Sequence, residues 1–364
     1  MTNQILDASK IIITTFIFST IIMFLMRKVA VHINAVDIPT TNEGNRHIHK
    51  KITPKLGGVG IFLSFLFGYM LFGEQSIRMN SILIGSFIVV LTGIVDDIKP
   101  IKAYQKLLAH IFASSVIVFY GGILLNNITA FGYSFDFGIL SYPITILFLV
   151  ACANIVNLID GLDGLSGGIT SIFFLTITVI GIYQARVPSL VMVLTLIMLG
   201  STLGFLMHNF YPAKIFAGDC ATFMGFIIGI ITLLEFKSTA FISFFVPVTI
   251  LGIPILDTLF AIIRRLLKGQ APFQADKQHL HHQLLGMNFS QKKTVLIIYG
   301  INILFAIASI FYTIKDQTIG LLLYLIILIL VVWFVLHTTI ISEKGPNITK
   351  NVKKKIESIK KTKK

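Results

Sequence analysis

The residues of this chain that could do chemistry fall in five short runs, each bordering strongly apolar sequence. The longest, NIVNLIDGLDGLSGG at 154–168, sets Asn154, Asn157, Asp160 and Asp163 among glycines at the end of the apolar run YPITILFLVACA. The others are HIHKKITPKLGG (47–58), VDDIKP (95–100), HNFYPAKIFAGD (208–219) and FQADKQHLHHQLL (273–285). An ionised aspartate in an apolar span costs on the order of 2.5 to 3.5 kcal/mol, so such residues mark an interface, a polar cavity or a bound cation. If a helix runs on through 154–163, Asn157 and Asp160 share one face. Gly161 and Gly164 would then loosen the turn and let Asp163 approach the same point. The alternative is a polar cap on an interfacial helix end.

Asp96 and Asp97 are consecutive and point about 100° apart on a helix, so they do not readily chelate one ion together. A division of labour follows, with one carboxylate near a metal or reacting phosphate and the other on a lysine or a helix end. A plain cap and salt bridge with Lys99 or Lys102 is the competing reading. In Phe216-Ala217-Gly218-Asp219 the glycine permits close backbone approach, the carboxylate suits Mg2+ and the aromatic ring can stack on a base. Taken alone, that tetrapeptide reads equally as a loop aspartate beside a core phenylalanine. His279, His281 and His282, with Lys277, Lys268 and Arg265 near them, fit a donor set for diphosphate oxygens. Zn2+ fits less well, because neighbouring His281 and His282 splay apart and a structural zinc site wants four ligands. Asp257, inside an apolar run about two turns before Arg264, either pairs with a basic residue or lines a cavity.

The elements that must position these runs follow from composition. Of 364 residues, 55% are hydrophobic and 13% charged, with mean hydropathy +0.86, more apolar surface than a soluble core can hide. Apolar runs near span length without strand-like alternation predict an all-α polytopic membrane protein. About eleven transmembrane helices are expected, at 9–26, 56–73, 81–95, 107–125, 140–157, 166–184, 189–207, 222–236, 240–262, 294–314 and 318–341. The eighth carries the weakest signal. The first is read as a retained helix rather than a cleaved leader, since MTNQILDAS lacks a basic start. With the N-terminus outside and the C-terminus cytoplasmic, every one of the 30 basic residues lies inside except Lys10, Arg78, Arg186, Lys237 and Lys315. All five polar runs then converge on the cytoplasmic face, as a site for a soluble substrate and a lipid partner requires.

This distribution assigns the net charge of +14 to loops facing anionic lipid headgroups, and nucleic acid is not expected as a partner. Residues 1–341 form one transmembrane domain. Residues 342–364 form a basic cytoplasmic tail, either an interfacial helix on lipid or a solvated extension. Cys152 and Cys220 are expected to be bystanders, and no internal repeat of the kind common in carriers is evident. A transporter of lipid-linked sugars or metal ions is nevertheless the competing class, because carriers also hold intramembrane aspartates.

TPKLGG (53–58), VDDIKP (95–100), NLIDGLDGL (157–165), NFYPAKIFAGD (209–219) and HLHH (279–282), in this order and on one face, resemble the polyprenyl-phosphate N-acetylhexosamine-1-phosphate transferase family. The likeness covers roughly residues 30 to 300. It is nearer to the bacterial undecaprenyl-phosphate GlcNAc-1-phosphate transferases than to the phospho-MurNAc-pentapeptide transferases. It implies attack of undecaprenyl phosphate on the β-phosphorus of UDP-GlcNAc, giving undecaprenyl-diphospho-GlcNAc and UMP, with Mg2+ (or Mn2+) neutralising the diphosphate. A cell-envelope glycopolymer such as teichoic acid would be the destination. By the same resemblance Asp219 and Asn157 would hold the metal, and Asp160 and Asp163 would contact nucleotide or sugar. Asn209 and Phe216 would face the uracil, and Asp96 or Asp97 would act as base or orient the lipid phosphate. Asp96, Asp97 and Asp219 are thus the catalytic candidates. Lys55, Asn154, Arg265, His279, His281 and His282 join the substrate-binding set. A homodimer is compatible with the pattern. The sequence departs from the family where Cys220-Ala221-Thr222 replaces the usual hydroxyl residue and glycine after Gly218-Asp219.

Overall fold

The computed structural model of the chain describes residues 2–38, 52–130, 133–235, 284–285 and 289–337. Ten α-helices are found among them. They are α1 (Thr2–His32), α2 (Gly57–Phe72), α3 (Ile77–Ile98), α4 (Ala103–Ser115), α5 (Ser141–Ile159), α6 (Leu165–Tyr183), α7 (Leu190–Asn209), α8 (Ala221–Glu235), α9 (Gln291–Ile310) and α10 (Gln317–His337). The last turns of α4 and α9 widen into π-helical turns at Val116–Tyr120 and Phe311–Lys315. Six helical stretches are long and apolar enough to cross a membrane: Asn3–His32, Ile77–Ile98, Gly138–Ile159, Leu165–Tyr183, Leu190–Asn209 and Gln291–Lys315. The protein is a multi-pass membrane protein.

Each of the eleven expected segments coincides with a helix except 240–262, which lies outside the described residues. Two refinements emerge. The protein is not purely helical, since β1 (Val36–Asp37) pairs antiparallel with β2 (Thr53–Pro54), and β3 (Asn127–Ala130) with β4 (Tyr133–Asp136). The weak eighth segment is α8, whose described residues are almost wholly buried in the bundle, from Ala221 to Leu233.

The bundle turns its polarity inward. Apolar side chains such as Ile13, Ile17, Ile21 and Phe24 on α1 and Ile84, Phe87 and Leu91 on α3 form exposed stripes at helical spacing. Buried hydroxyls tie helices together: Ser19 Oγ donates to the Ser201 carbonyl at 2.7 Å, and Ser64 Oγ to that of Thr15 at 3.0 Å. Between helices in lipid, such bonds and close packing of small residues stand in for the missing hydrophobic drive. Gly225 of α8 lies so close to the Cys152 backbone of α5 that any side chain would overlap it. Ser76, Ser189 and Ser290 start α3, α7 and α9 by accepting hydrogen bonds from the backbone of Met79, Met192 and Lys293. Such caps contribute about 1 kcal/mol each.

Candidate active site

The up-and-down order of the helices brings the C-terminal ends of α3, α5 and α7 and the N-terminal ends of α2, α4 and α8 to one end of the bundle. That end holds the acidic cluster. VDDIKP forms the last turn of α3 and its exit, so Asp96 and Asp97 leave one helix end on different sides. Asp96 Oδ2 accepts from Lys106 Nζ at 2.7 Å, and its Oδ1 accepts from the Ile101 backbone at 2.9 Å. Asp97 uses both oxygens, at 3.1 and 3.0 Å, to accept from the backbone nitrogen of Asp219. The two carboxylates have different partners, Asp96 a lysine and Asp97 the main chain of Asp219. The lysine involved is Lys106 on the first turn of α4, not Lys99 or Lys102.

Asp219 is the junction. Its Oδ1 accepts from Lys106 Nζ at 3.0 Å and from Asn157 Nδ2 at 2.9 Å, while its Oδ2 is buried and has no hydrogen-bond partner among the described residues. Asp219 is carried by a backbone loop stitched to the start of α2. Gly57 and Gly58 donate to the carbonyls of Phe216 and Ala217 at 2.8 and 3.0 Å, and Phe216 donates to Pro54 at 2.8 Å. TPKLGG therefore positions FAGD by main-chain pairing. Gly218 sits at φ +70°, where a side chain would overlap the Asp97 carboxylate and the Lys55 carbonyl. The departure at Cys220 is absorbed. Its thiol is buried against Gly58 and Gly93, and burial pushes it well above the ordinary thiol value. The hydroxyl of Thr222 donates back to the Asp219 carbonyl at 2.7 Å.

The run 154–168 does not continue as one helix. α5 ends at Ile159, and α6 starts at Leu165 behind a left-handed Gly164 (φ +82°), because the glycines that were expected to loosen the turn instead end the helix. Asp160 thus leaves the Asn157 face and accepts from Ser166 Oγ. Burial pushes its carboxyl up to about 6, the Ser166 bond offsets part of this, and the charges of Asp163 and Asp219 add to it. Asp163, 3% exposed, accepts from the Ala213 backbone at 2.9 Å. Asn209, 1% exposed, accepts from Gly164 N at 3.0 Å and donates to the Ile215 carbonyl at 2.9 Å. With both polar atoms of its amide engaged in the interior, Asn209 braces the loop rather than facing a base. Phe216 is held by its backbone and is half-buried.

Lys55 pairs with Asp37 at 3.6 Å. Asn154 donates to the Val150 carbonyl at 2.7 Å, one turn before Asn157. Arg265, His279, His281 and His282, and with them Asp257, lie outside the described residues. His208 ties α7 to α1 through Nε2 and the Thr20 carbonyl at 3.1 Å. The residue that sequence reasoning missed is Lys106. Its trace was visible as the second lysine after VDDIKP, on the boundary of an apolar run.

The chain was compared with known proteins. The model of glycosyl transferase family 4 matches residues 79–235, the stretch that supplies Asp96, Asp97, Lys106, Asn157 and Asp219. A Bacillus subtilis (strain 168) protein named "Probable undecaprenyl-phosphate N-acetylglucosaminyl 1-phosphate transferase" is 37% identical over 356 residues, spanning 95% of this chain and 97% of its own. A decaprenyl-phosphate N-acetylglucosaminephosphotransferase of Mycobacterium tuberculosis (strain CDC 1551 / Oshkosh) is 31% identical over 333 residues, 80% of each chain. An undecaprenyl-phosphate alpha-N-acetylglucosaminyl 1-phosphate transferase of Yersinia pestis is 28% identical over 305 residues, 81% of each. With near full-length likeness to such a protein and the four described motifs, TPKLGG, VDDIKP, NLIDGLDGL and NFYPAKIFAGD, meeting at one end of the bundle, the chain belongs to glycosyl transferase family 4, the polyprenyl-phosphate N-acetylhexosamine-1-phosphate transferases.

Proposed function

We propose that this protein transfers GlcNAc-1-phosphate from UDP-GlcNAc to undecaprenyl phosphate, releasing UMP. The observation that carries the reading is the convergence of Asp97, Lys106, Asn157 and Asp219, from α3, α4, α5 and the loop before α8, in one hydrogen-bonded cluster. Phosphoryl transfer asks a protein mainly for positioning and charge stabilisation, which such a cluster supplies. The names of the relatives in three organisms specify N-acetylglucosamine, which supports this donor over a phospho-MurNAc-pentapeptide. The lipid-linked product would begin a cell-envelope glycopolymer such as teichoic acid.

The residues present fit Mg2+, with Mn2+ as a substitute. Lys106 is shared between the carboxylates of Asp96 and Asp219, Asp97 binds the backbone of Asp219, and Asp219 keeps a buried oxygen without a hydrogen-bond partner among the described residues. No group of three or more His, Cys, Asp or Glu side chains forms a metal cage among the described residues. That suits Mg2+, which takes one or two carboxylates and completes its shell with water and substrate phosphate oxygens. Asp219 and Asn157 would hold it, and when bound it would neutralise charge on the diphosphate. The protein's own part is then distinct. Asp97 fixes the backbone of Asp219, and Lys106 places a positive charge between Asp96 and Asp219. Asp163 and Asn209 lock the loop that presents Phe216 and Asp219.

Eleven spans, an outside N-terminus and a cytoplasmic site complete the proposal, supported by the bias of basic residues. The experiment is incubation of the purified protein with undecaprenyl phosphate and labelled UDP-sugars one at a time, followed by extraction of lipid product. UDP-GlcNAc should give lipid-extractable label and UMP, and a chelator should stop both. Asp219→Ala and Asp97→Ala should abolish UMP release while the protein stays folded. Full turnover in both variants would remove the site assignment.

A further inference from the structure

His110, on the face of α4 one turn beyond Lys106, is 2% exposed and plays no part in the reading above. Its tautomer follows from its neighbour. Asn154 Nδ2 lies 2.7 Å from the Val150 carbonyl, an acceptor, so the atom there is the amide NH2. The same NH2 faces His110 Nδ1 at a long 3.5 Å. An NH2 group only donates, so Nδ1 is the acceptor and the ring proton sits on Nε2. That Nε2–H donor is buried and has no hydrogen-bond partner among the described residues.

Asp219 Oδ2 is the complementary case, a buried acceptor equally without a partner. A buried polar group left unsatisfied costs about 1–3 kcal/mol, and native structures resolve such costs with a partner or an ordered water. Lys106 of α4 and Asn157 of α5 both bond Asp219 Oδ1, and one turn along the same two helices His110 and Asn154 face each other, which places a lone donor and a lone carboxylate oxygen on neighbouring turns.

We propose that His110 is a positioning residue for the divalent-cation site. Its Nε2–H donates to a water that is held against Asp219 Oδ2, and this contact orients the carboxylate toward the cation. The inference rests on the reading of Asp219 as a metal-holding residue and deepens it. Groups that orient a metal-holding carboxylate from behind typically change cation affinity about 10–100-fold when removed.

The test is direct Mn2+ binding to the purified full-length protein without substrate, followed by electron paramagnetic resonance of the free ion. Two substitutions separate the two ring nitrogens. In His110→Gln the side-chain amide reaches the place of Nε2, and in His110→Asn only that of Nδ1. His110→Gln should bind Mn2+ within about threefold of the unaltered protein, whereas His110→Asn should bind about tenfold more weakly at unchanged unfolding temperature. Should His110→Asn fail to fold, His110→Leu measured beside His110→Gln carries the same comparison. Equal affinity in all variants, or equal loss in His110→Gln and His110→Asn, overturns the inference alone. Absence of Mn2+ binding by the unaltered protein overturns the metal reading together with it.

Discussion

Lys106 answers to two carboxylates at once, 2.7 Å from Asp96 and 3.0 Å from Asp219, with 24% of its side chain exposed. Deleting one partner of a partly buried ionic group leaves the others uncompensated, at a cost of about 3–5 kcal/mol for full burial and less here. Lys106→Met should therefore lower the unfolding temperature and remove activity. Lys106→Arg, which keeps charge but changes shape, should recover stability more than turnover. Thermal unfolding and UMP release, measured on the same preparations, check both. Asp160 gives a second prediction. Because its folded-state carboxyl is raised to about 6 by burial, the folded chain holds the proton more tightly than the unfolded chain. The associated stability is fully present below the ordinary aspartate range and is lost as pH rises through about 6. Asp160→Asn, permanently neutral, should match the unaltered protein near about pH 3 and exceed it at about pH 8, by on the order of 3 kcal/mol. Unfolding temperatures across that range decide it. The aspartates were legible in the sequence because a carboxylate in apolar surroundings needs a reason. Lys106 was not, because a lysine at the end of an apolar run serves equally well as a topology signal.

Helix ends carry the site, and helix ends are where sequence is least explicit. The run 154–168 shows why: the same glycines permit either a loosened helix or a full stop, and the stop is decided by tertiary partners. Asn209 reaches Gly164 N across 45 residues, and Tyr299 of α9 donates to the Gly164 carbonyl. The stitching of Gly57 and Gly58 to Phe216 and Ala217 is likewise main chain to main chain, so no side-chain pattern announces it. Gly218 is the point at which this arrangement can be tested. An alanine there would be strained at φ +70° by about 1–2 kcal/mol and would press on the Asp97 carboxylate. Since a misplacement of about 1 Å can cost about a hundredfold in rate, Gly218→Ala should lose about that much turnover, with a smaller effect on unfolding. A parallel Gly300→Ala, at a position with no heavy atom near the added carbon, should leave turnover unchanged.

At the scale of the whole molecule, hydropathy made the helical bundle legible and charge suggested its orientation. The depth of burial of α8 and the two strand pairs were hidden, since both depend on what surrounds a segment rather than on its own residues. The proposed orientation predicts that a reporter active only outside the cytoplasm should work when fused near Arg186 and fail when fused near Lys214. The reverse pattern would invert the site's face. The hydrogen bond from Asp219 N to Asp97 spans 122 residues. A ribosome adding about 5–20 residues per second needs roughly ten seconds to cover that interval. Throughout it, the nascent third helix sits at the translocon exit with an acid whose eventual donor has not yet been synthesised. Biogenesis of this protein must therefore shelter Asp97 with water or an insertion factor until the seventh helix and its following loop emerge.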